Sequence, residues 1–211
     1  MIGKGVLLEC LENPEVESVL VINRQPGGMK HEKLKEIIHA DLFDLTTIEK
    51  EMRGFNACFF CLGVSAAGMA EKDYHRITYE LTLSFAKTLL NINPEITFCY
   101  ISGAGTDNSE KGRMMWARVK GKTENALLAL PFNAAYMFRP GYIQPMKGIR
   151  SRTKSYNVLY SFLKPLYPLL KHFPTIVTNT EKLGRAMINV ALSGHKQTIL
   201  ESKDINQVAG N

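Results

Sequence analysis

Short apolar runs of strand length alternate with segments of helical character along most of this chain. The apolar runs lie at residues 17–24, 34–40, 56–62, 95–101, 134–139 and 197–201, and the last one precedes a polar tail. Helical patterns lie at residues 4–12, 45–53, 71–91, 113–129 and 180–192. Strands without polar alternation are typical of a parallel sheet covered by helices on both faces. The sequence therefore predicts an α/β fold with a mostly parallel sheet.

Small and polar residues follow the predicted strands. The strand ends are Asn23-Arg24, Asp41, Cys61-Leu62-Gly63, Ser102-Gly103 and Arg139-Pro140-Gly141. Ligands of open parallel sheets bind at the carboxyl ends of the strands, and glycine lets the backbone approach a ligand closely. We therefore expect a ligand site at this edge of the sheet.

Length and composition favour one globular domain over residues 1–211. Apolar residues make up 45% of the chain and charged residues 22%, as in ordinary globular proteins. No run of 18 apolar residues is present, so we expect no membrane span. The first residues lack the pattern of a secretory signal, which predicts a cytoplasmic location.

The cysteines and histidines do not form a recognisable redox or metal motif. Cys58 and Cys61 are spaced like a redox pair, but strand alternation would place them on opposite faces. We expect the four cysteines to be small buried apolar residues, and no metal site among the scattered histidines.

The net charge of +6 is spread along the chain. One modest basic concentration occurs, at Lys147, Arg150, Arg152 and Lys154. This pattern favours a solvated basic loop over a patch that binds nucleic acid.

Several segments carry a resemblance to a known family. They are MIGKGVLLECL (1–11), CLGVSAAGM (61–69), YISGAGTD (100–107), WARVKGKTENAL (116–127), FRPGYIQP (138–145) and TILESKDI (198–205). In order and spacing they resemble the atypical short-chain dehydrogenase/reductases, in particular the Tat-interacting-protein oxidoreductase-like group of NAD(P)-binding proteins. The resemblance covers nearly the whole chain and implies a Rossmann-type sheet.

The first residues resemble the end of the family's glycine-rich loop, T-G-x-x-G-x-x-G, and the helix after it. Gly3 corresponds to the last glycine of that motif. The first strand of the Rossmann plan and most of the loop are therefore absent from these 211 residues. The amides of the first helix would still face a pyrophosphate.

The family's catalytic set is a Ser, a Tyr and a Lys, the last two spaced Y-x-x-x-K on one helix. Ser102 and Lys120 match this pattern, and Trp116 occupies the Tyr position. An indole N–H donates a hydrogen bond but does not deliver a proton near neutral pH. We therefore expect weak or altered oxidoreductase activity.

The cofactor implied by the resemblance is NADP(H) rather than NAD(H). An arginine after the second Rossmann strand suits the extra phosphate of NADP, and Arg24 lies there. The predicted cofactor-binding residues are Ile2, Gly3, Arg24, Asp41, Leu42, Cys61, Leu62, Gly63, Lys120, Pro140, Gly141, Tyr142 and Ile143.

The family places a substrate lid at about residues 143–178. Its segment 154–173 is rich in leucines and aromatics, which implies a hydrophobic substrate. An interfacial helix is the other interpretation, but Pro165 and Pro168 would break it. Family analogy also suggests a homodimer through the helices at 71–91 and 113–129.

Three functions follow from these expectations. The first is an NADP(H)-binding oxidoreductase, favoured by Ser102, Lys120 and Arg24. The second is a catalytically inactive module that senses a nucleotide or docks on a protein, favoured by Trp116 and the shortened loop. The third is an enzyme similar to the sugar-nucleotide epimerases, although the chain has little room for a separate sugar-nucleotide domain.

Overall fold

Parallel strands and intervening helices make up the described chain. The computed structural model describes residues 1–149, Tyr167 and residues 173–210. The first half contains α1 (Ile2–Glu12), β1 (Val19–Asn23), β2 (Leu34–Ile38), a 3₁₀ turn (Thr46–Ile48), β3 (Ala57–Phe60), α2 (Glu71–His75), a π-helical turn (Arg76–Glu80) and α3 (Leu81–Ile92). The second half contains β4 (Thr97–Ile101), α4 (Met115–Leu128), β5 (Ala134–Arg139), β6 (Tyr142–Gln144), β7 (Val177–Asn179), α5 (Thr180–Ser193), β8 (Ile199–Glu201) and α6 (Ser202–Val208).

The strands form three parallel groups. The largest has the order β3-β4-β5-β8, β1 pairs with β2, and β6 pairs with β7. Every pairing is parallel, which confirms the predicted α/β fold.

Both faces of the main sheet are buried. Cys99 and Ile101 of β4 lie in a core with Val6 of α1 and Leu183 of α5. Phe98 and Tyr100, the alternate residues of the same strand, lie in a second core with α3 and α4. This two-sided burial explains why the strands are continuous apolar runs.

The sheet is divided between β1 and β3. Within the described residues, β1 is hydrogen-bonded only to β2, and β3 only to β4. Helix α1 contacts both β1 and β3. All residues of β1 are partly exposed, whereas all those of β4 are buried. The two parts of the sheet are thus joined through side-chain packing.

Some predicted elements were wrong. The helix expected at 45–53 is only the 3₁₀ turn, because the amides there donate to the carbonyl three residues before them, as from Ile48 to Leu45 (2.9 Å) and from Glu51 to Ile48 (3.2 Å). The expected polar tail contains α6, which begins with a capping box between Glu201 and Asp204. Strands β6 and β7, of three residues each, had no recognisable pattern.

Candidate functional site

A pocket opens at the carboxyl ends of β1 and β3. It has a volume of about 370 Å³ and is lined by Ile22, Asn23, Arg24, Gln25, Leu42 and Leu62. The fold thus brings together three predicted cofactor-binding residues, Arg24, Leu42 and Leu62. The other three lining residues, Ile22, Asn23 and Gln25, were not predicted individually. They line the pocket because they lie at the end of β1 and in the loop after it.

Arg24 is exposed at this pocket, and its guanidinium has no hydrogen-bond or ion-pair partner among the residues that the structure describes. The walls formed by Ile22, Leu42 and Leu62 are apolar. An apolar slot beside an unpaired cation can hold the flat face of a base and an anionic group next to it.

Asp41 and Gly63 do not line the pocket. The Asp41 carboxylate accepts a hydrogen bond from the amide of Phe43 at 2.9 Å and so fixes the turn that carries Leu42. A Cβ added at Gly63 would meet no atom within 4 Å, so the backbone there is open to an approaching group.

Ile2 and Gly3 lie at the start of α1, beside the end of β3. A Cβ added at Gly3 would lie 3.3 Å from the Cβ of Cys61, so α1 approaches β3 closely at this point. Ile2 is partly buried and packs against the core on that face. The absence of a side chain at Gly3 therefore lets α1 pack closely against the residue that follows β3.

Cys10 and Cys99 are buried, and Cys58 and Cys61 are partly buried against the two cores. Cys58 packs on one face of the sheet, and Cys61 on the other with Cys10 and Cys99, as strand alternation predicts. Burial, together with the neighbouring Glu9, raises the pKa of the Cys10 thiol to about 12. Burial and Cys10 raise the pKa of Cys61 to about 12 as well. These thiols stay protonated and unreactive near neutral pH.

Ser102, Trp116 and Lys120 come together at the end of β4. The Lys120 ammonium donates to the main-chain carbonyl of Ser102 and, at 3.5 Å, to that of Ile101. A Cβ added at Gly105, in the loop after β4, would lie 3.6 Å from the Trp116 indole. The indole therefore packs over this loop.

The Ser102 hydroxyl and the Lys120 ammonium both donate hydrogen bonds to main-chain carbonyls. Ser102 is buried, and its hydroxyl donates to the Phe138 carbonyl at 3.1 Å. Burial lowers the pKa of Lys120 to about 8, although the nearby Glu124 opposes this shift. Lys120 is thus the group at this site whose proton equilibrium is closest to neutral pH.

A buried ion pair lies beside Lys120, and sequence reasoning did not predict it. Arg139, at the end of β5, donates from Nε to Glu124 of α4 at 3.0 Å and also donates to Asn108. Asn108 donates to Glu124 at 2.9 Å, and Glu124 is fully buried. The network fixes α4, β5 and the loop after β4 relative to one another. Its only visible signal was an arginine at a strand end and a glutamate four residues after Lys120.

The predicted residues 140–143 are held by main-chain and side-chain contacts with neighbouring elements. The Pro140 carbonyl accepts from the Ala104 amide at 3.0 Å. A Cβ at Gly141 would lie 2.4 Å from the Ile176 carbonyl oxygen, so only glycine fits there. The Tyr142 hydroxyl donates to Gln144 at 2.7 Å, and Ile143 is buried in the core.

The basic loop is only partly described. Lys147 forms ion pairs with Glu9 (2.7 Å) and Glu12 (2.5 Å) of α1. This differs from the expectation that it is a solvated lysine. Arg150, Arg152 and Lys154 lie outside the described residues, as does most of the lid segment 154–173.

The described ranges contain neither a membrane-spanning helix nor a cluster of metal-binding side chains. No helix there has the length and apolar character needed to cross a membrane. No group of three or more His, Cys, Asp or Glu side chains there is arranged to hold a metal ion.

Comparison with solved structures identifies the class of fold. A UDP-N-acetylglucosamine 4-epimerase from Methanobrevibacter ruminantium matches with a TM-score of 0.67 and 18% identity, over 94% of this chain and 71% of that one. A short-chain dehydrogenase/reductase from Saccharomyces cerevisiae matches with a TM-score of 0.63 and 12% identity, over 96% of this chain and 92% of that one. The chain therefore has the Rossmann-type fold of the short-chain dehydrogenase/reductases and related epimerases, which confirms the predicted resemblance at the level of fold.

Curated relatives of similar length carry one name. Protein FMP52-2, mitochondrial, from Scheffersomyces stipitis is 28% identical over 204 residues, covering 92% of this chain and 86% of that protein. Protein FMP52, mitochondrial, from Meyerozyma guilliermondii is 23% identical over 221 residues, covering 99% of this chain and 91% of its own length. No family model matches the sequence.

These names contradict the predicted cytoplasmic location. That prediction depended on the lack of a secretory signal, and such a lack does not distinguish the cytoplasm from an organelle.

Proposed function

We propose that this chain is an NADP(H)-binding oxidoreductase of the atypical short-chain dehydrogenase/reductase type. The observation that carries the proposal is the pocket after β1, where Arg24, which has no partner among the described residues, lies beside the apolar residues Ile22, Leu42 and Leu62. This arrangement fits the adenosine end of a dinucleotide, with Arg24 toward the 2′-phosphate.

The other end of the dinucleotide would lie toward Ser102, Trp116 and Lys120, farther along the same strand ends. When bound, the reduced cofactor would supply a hydride to a carbonyl carbon of the substrate. The protein must then supply a proton to the carbonyl oxygen. Trp116 holds its N–H near neutral pH and serves to donate a hydrogen bond. The Nζ atom of Lys120, with a pKa of about 8, is the group here that can release a proton. This would give a slow reaction with a pH dependence set by Lys120.

The substrate class is proposed as small and hydrophobic, from the composition of segment 154–173. Residues 143–178 would form its lid within a single domain over 1–211. The relatives' names favour a mitochondrial location, and a homodimer would use α2–α3 and α4.

The test is calorimetric titration of the 211-residue chain with NADPH and with NADH. We expect NADPH to bind about tenfold or more tightly than NADH, because a charge-assisted pair with Arg24 contributes about 1.5–3 kcal/mol. The matched variant Arg24→Gln should remove this preference and leave NADH binding nearly unchanged. Equal binding of both nucleotides by the wild type would contradict the assignment of Arg24.

A catalytically inactive nucleotide-sensing or protein-docking module is the second candidate. It is favoured by the contacts of Ser102 and Lys120, whose polar groups bind main-chain carbonyls. NADPH binding without turnover of any carbonyl substrate would support this candidate. An epimerase-like activity is a third possibility, supported only by the likeness in fold.

A further inference from the structure

Glu36 lies behind the loop that carries Arg24. It is on β2, in register with Val21 of the neighbouring strand β1. Its Oε1 atom accepts two hydrogen bonds, from the side-chain amide of Asn23 at 2.7 Å and from the main-chain amide of Gly27 at 2.9 Å. One carboxylate oxygen therefore holds both ends of the segment Arg24-Gln25-Pro26.

Any side chain at position 27 would crowd this contact. A Cβ at position 27 would lie 2.9 Å from Glu36 Oε1 and 3.4 Å from the Asn23 side-chain nitrogen. The adjacent Pro26 has a fixed φ, which further limits the conformations of the segment. Two hydrogen bonds and a proline thus define the path of three otherwise exposed residues.

The loop forms one wall of the pocket, and Glu36 does not. Asn23, Arg24 and Gln25 line the pocket, and Glu36 is connected to this segment by its hydrogen bonds to Asn23 and Gly27. No described residue forms a hydrogen bond or ion pair with the Arg24 side chain. The direction of the guanidinium thus depends on the backbone that Glu36 holds.

We propose that Glu36 is a positioning residue that sets the selectivity of this pocket for a 2′-phosphorylated adenosine. The inference rests on the proposed function. Releasing the loop would add backbone freedom that a phosphate ligand must remove on binding, at about 1–2 kcal/mol for each residue fixed. A ligand without the phosphate does not use Arg24 and would not incur this cost.

The test uses 2′,5′-ADP and 5′-AMP, because both probe only the adenosine end and need no contacts to the rest of a dinucleotide. Three variants are compared with the wild type by titration. Glu36→Ala removes the acceptor and the charge, Glu36→Gln removes the charge and keeps an acceptor oxygen, and Glu32→Ala removes the charge of an exposed neighbour.

We expect the wild type to prefer 2′,5′-ADP over 5′-AMP. Glu36→Ala should reduce this preference about fivefold or more and change the affinity for 5′-AMP less than twofold. Glu36→Gln and Glu32→Ala should keep it. Hydrogen exchange at the Gly27 amide should be faster in Glu36→Ala than in Glu32→Ala, which shows the release of the loop without any ligand.

Two results would overturn the inference in different ways. If Glu36→Ala and Glu36→Gln both raise the preference for 2′,5′-ADP, Glu36 acts only through its negative charge, which repels the phosphate. If both leave the preference unchanged, Glu36 has no role in selectivity. If the wild type itself shows no preference, the role of Arg24 in the proposed function fails first and the role of Glu36 fails with it.

Discussion

At the level of single residues, Lys120 has a proton equilibrium that depends on folding. Burial lowers its pKa from the ordinary value of 10.5 to about 8, against the opposing effect of Glu124. Between these two pH values the unfolded chain binds more protons than the folded one. The contribution of Lys120 to the free energy of unfolding therefore increases as the pH rises from about 8 to 10.5.

Replacing Lys120 with Met should remove this pH dependence. The free energy of unfolding of the wild type, relative to Lys120→Met, should increase by roughly 1–3 kcal/mol over this window. Urea unfolding of both proteins at several pH values measures the difference.

The exposed Lys87 on α3 provides the control, because Lys87→Met makes the same chemical change away from the site. If the difference in the free energy of unfolding between the wild type and Lys120→Met stays constant with pH, the lowered pKa of Lys120 is contradicted.

The variant Lys120→Met also separates the two leading functions. A dinucleotide-dependent protein should lose cofactor affinity, whereas a module that docks on a partner should still bind it.

The sequence predicted some site residues and missed others for physical reasons. Arg24, Leu42 and Leu62 could be predicted because the carboxyl ends of parallel strands meet at one edge. The Glu124–Arg139 pair could not, because a glutamate on a helix rich in charges resembles a solvated residue until its burial is known. The contacts of Glu36 also depend on strand register, which the sequence leaves open.

At the level of elements, the packing of α1 on α5 depends on two glycines. A Cβ at Gly5 would lie 2.7 Å from the Cβ of Thr180. A Cβ at Gly184 would lie 2.9 Å from the Cβ of Glu9 and 3.3 Å from the Cα of Val6. The two helices therefore approach each other more closely than larger residues would allow.

The substitution Gly184→Ala should destabilise the protein although alanine favours helices. Overpacking costs about 1–3 kcal/mol, and the gain in helix propensity is about 1 kcal/mol. We expect a net loss of up to about 2 kcal/mol in the free energy of unfolding, measured by chemical denaturation. Gly63→Ala, where the added Cβ meets open space, should be nearly neutral. Equal stability of the two variants would show that the helices can move apart at little cost.

The predictability of an element depended mainly on its length. Helices such as α4 and α5, of 14 residues each, repeat their apolar pattern several times and were predicted. Strands β6 and β7 contain too few residues to show a period. Helix α6 depends on its capping box and on burial of Ile205, and only the second of these required the structure.

At the level of the whole molecule, the division of the sheet between β1 and β3 leaves two strand edges without hydrogen-bonded partners among the described residues. Unpaired main-chain groups at such edges favour the addition of another strand. Helix α1 lies against both strands and would cover one that joins them.

We therefore expect an added amino-terminal segment, an apolar strand followed by a glycine-rich turn, to join the two parts of the sheet. The midpoint of thermal unfolding should rise by about 4 °C or more, corresponding to roughly 1–2 kcal/mol. The β1 and β3 amides should become protected from hydrogen exchange. An extension of equal length made of glycine and serine is the control, and an equal rise with that control would contradict strand addition.

The packing of α1 on α5 also has a consequence for the order of events during synthesis. Residues 2–12 pack against residues 180–193, and Lys147 pairs with Glu9 and Glu12 across most of the chain length. At ribosomal rates of about 5–20 residues per second, the amino-terminal helix waits on the order of ten seconds or more for its partner to emerge. During that time its apolar face, and the strand edges beside it, are available to chaperones or to other nascent chains.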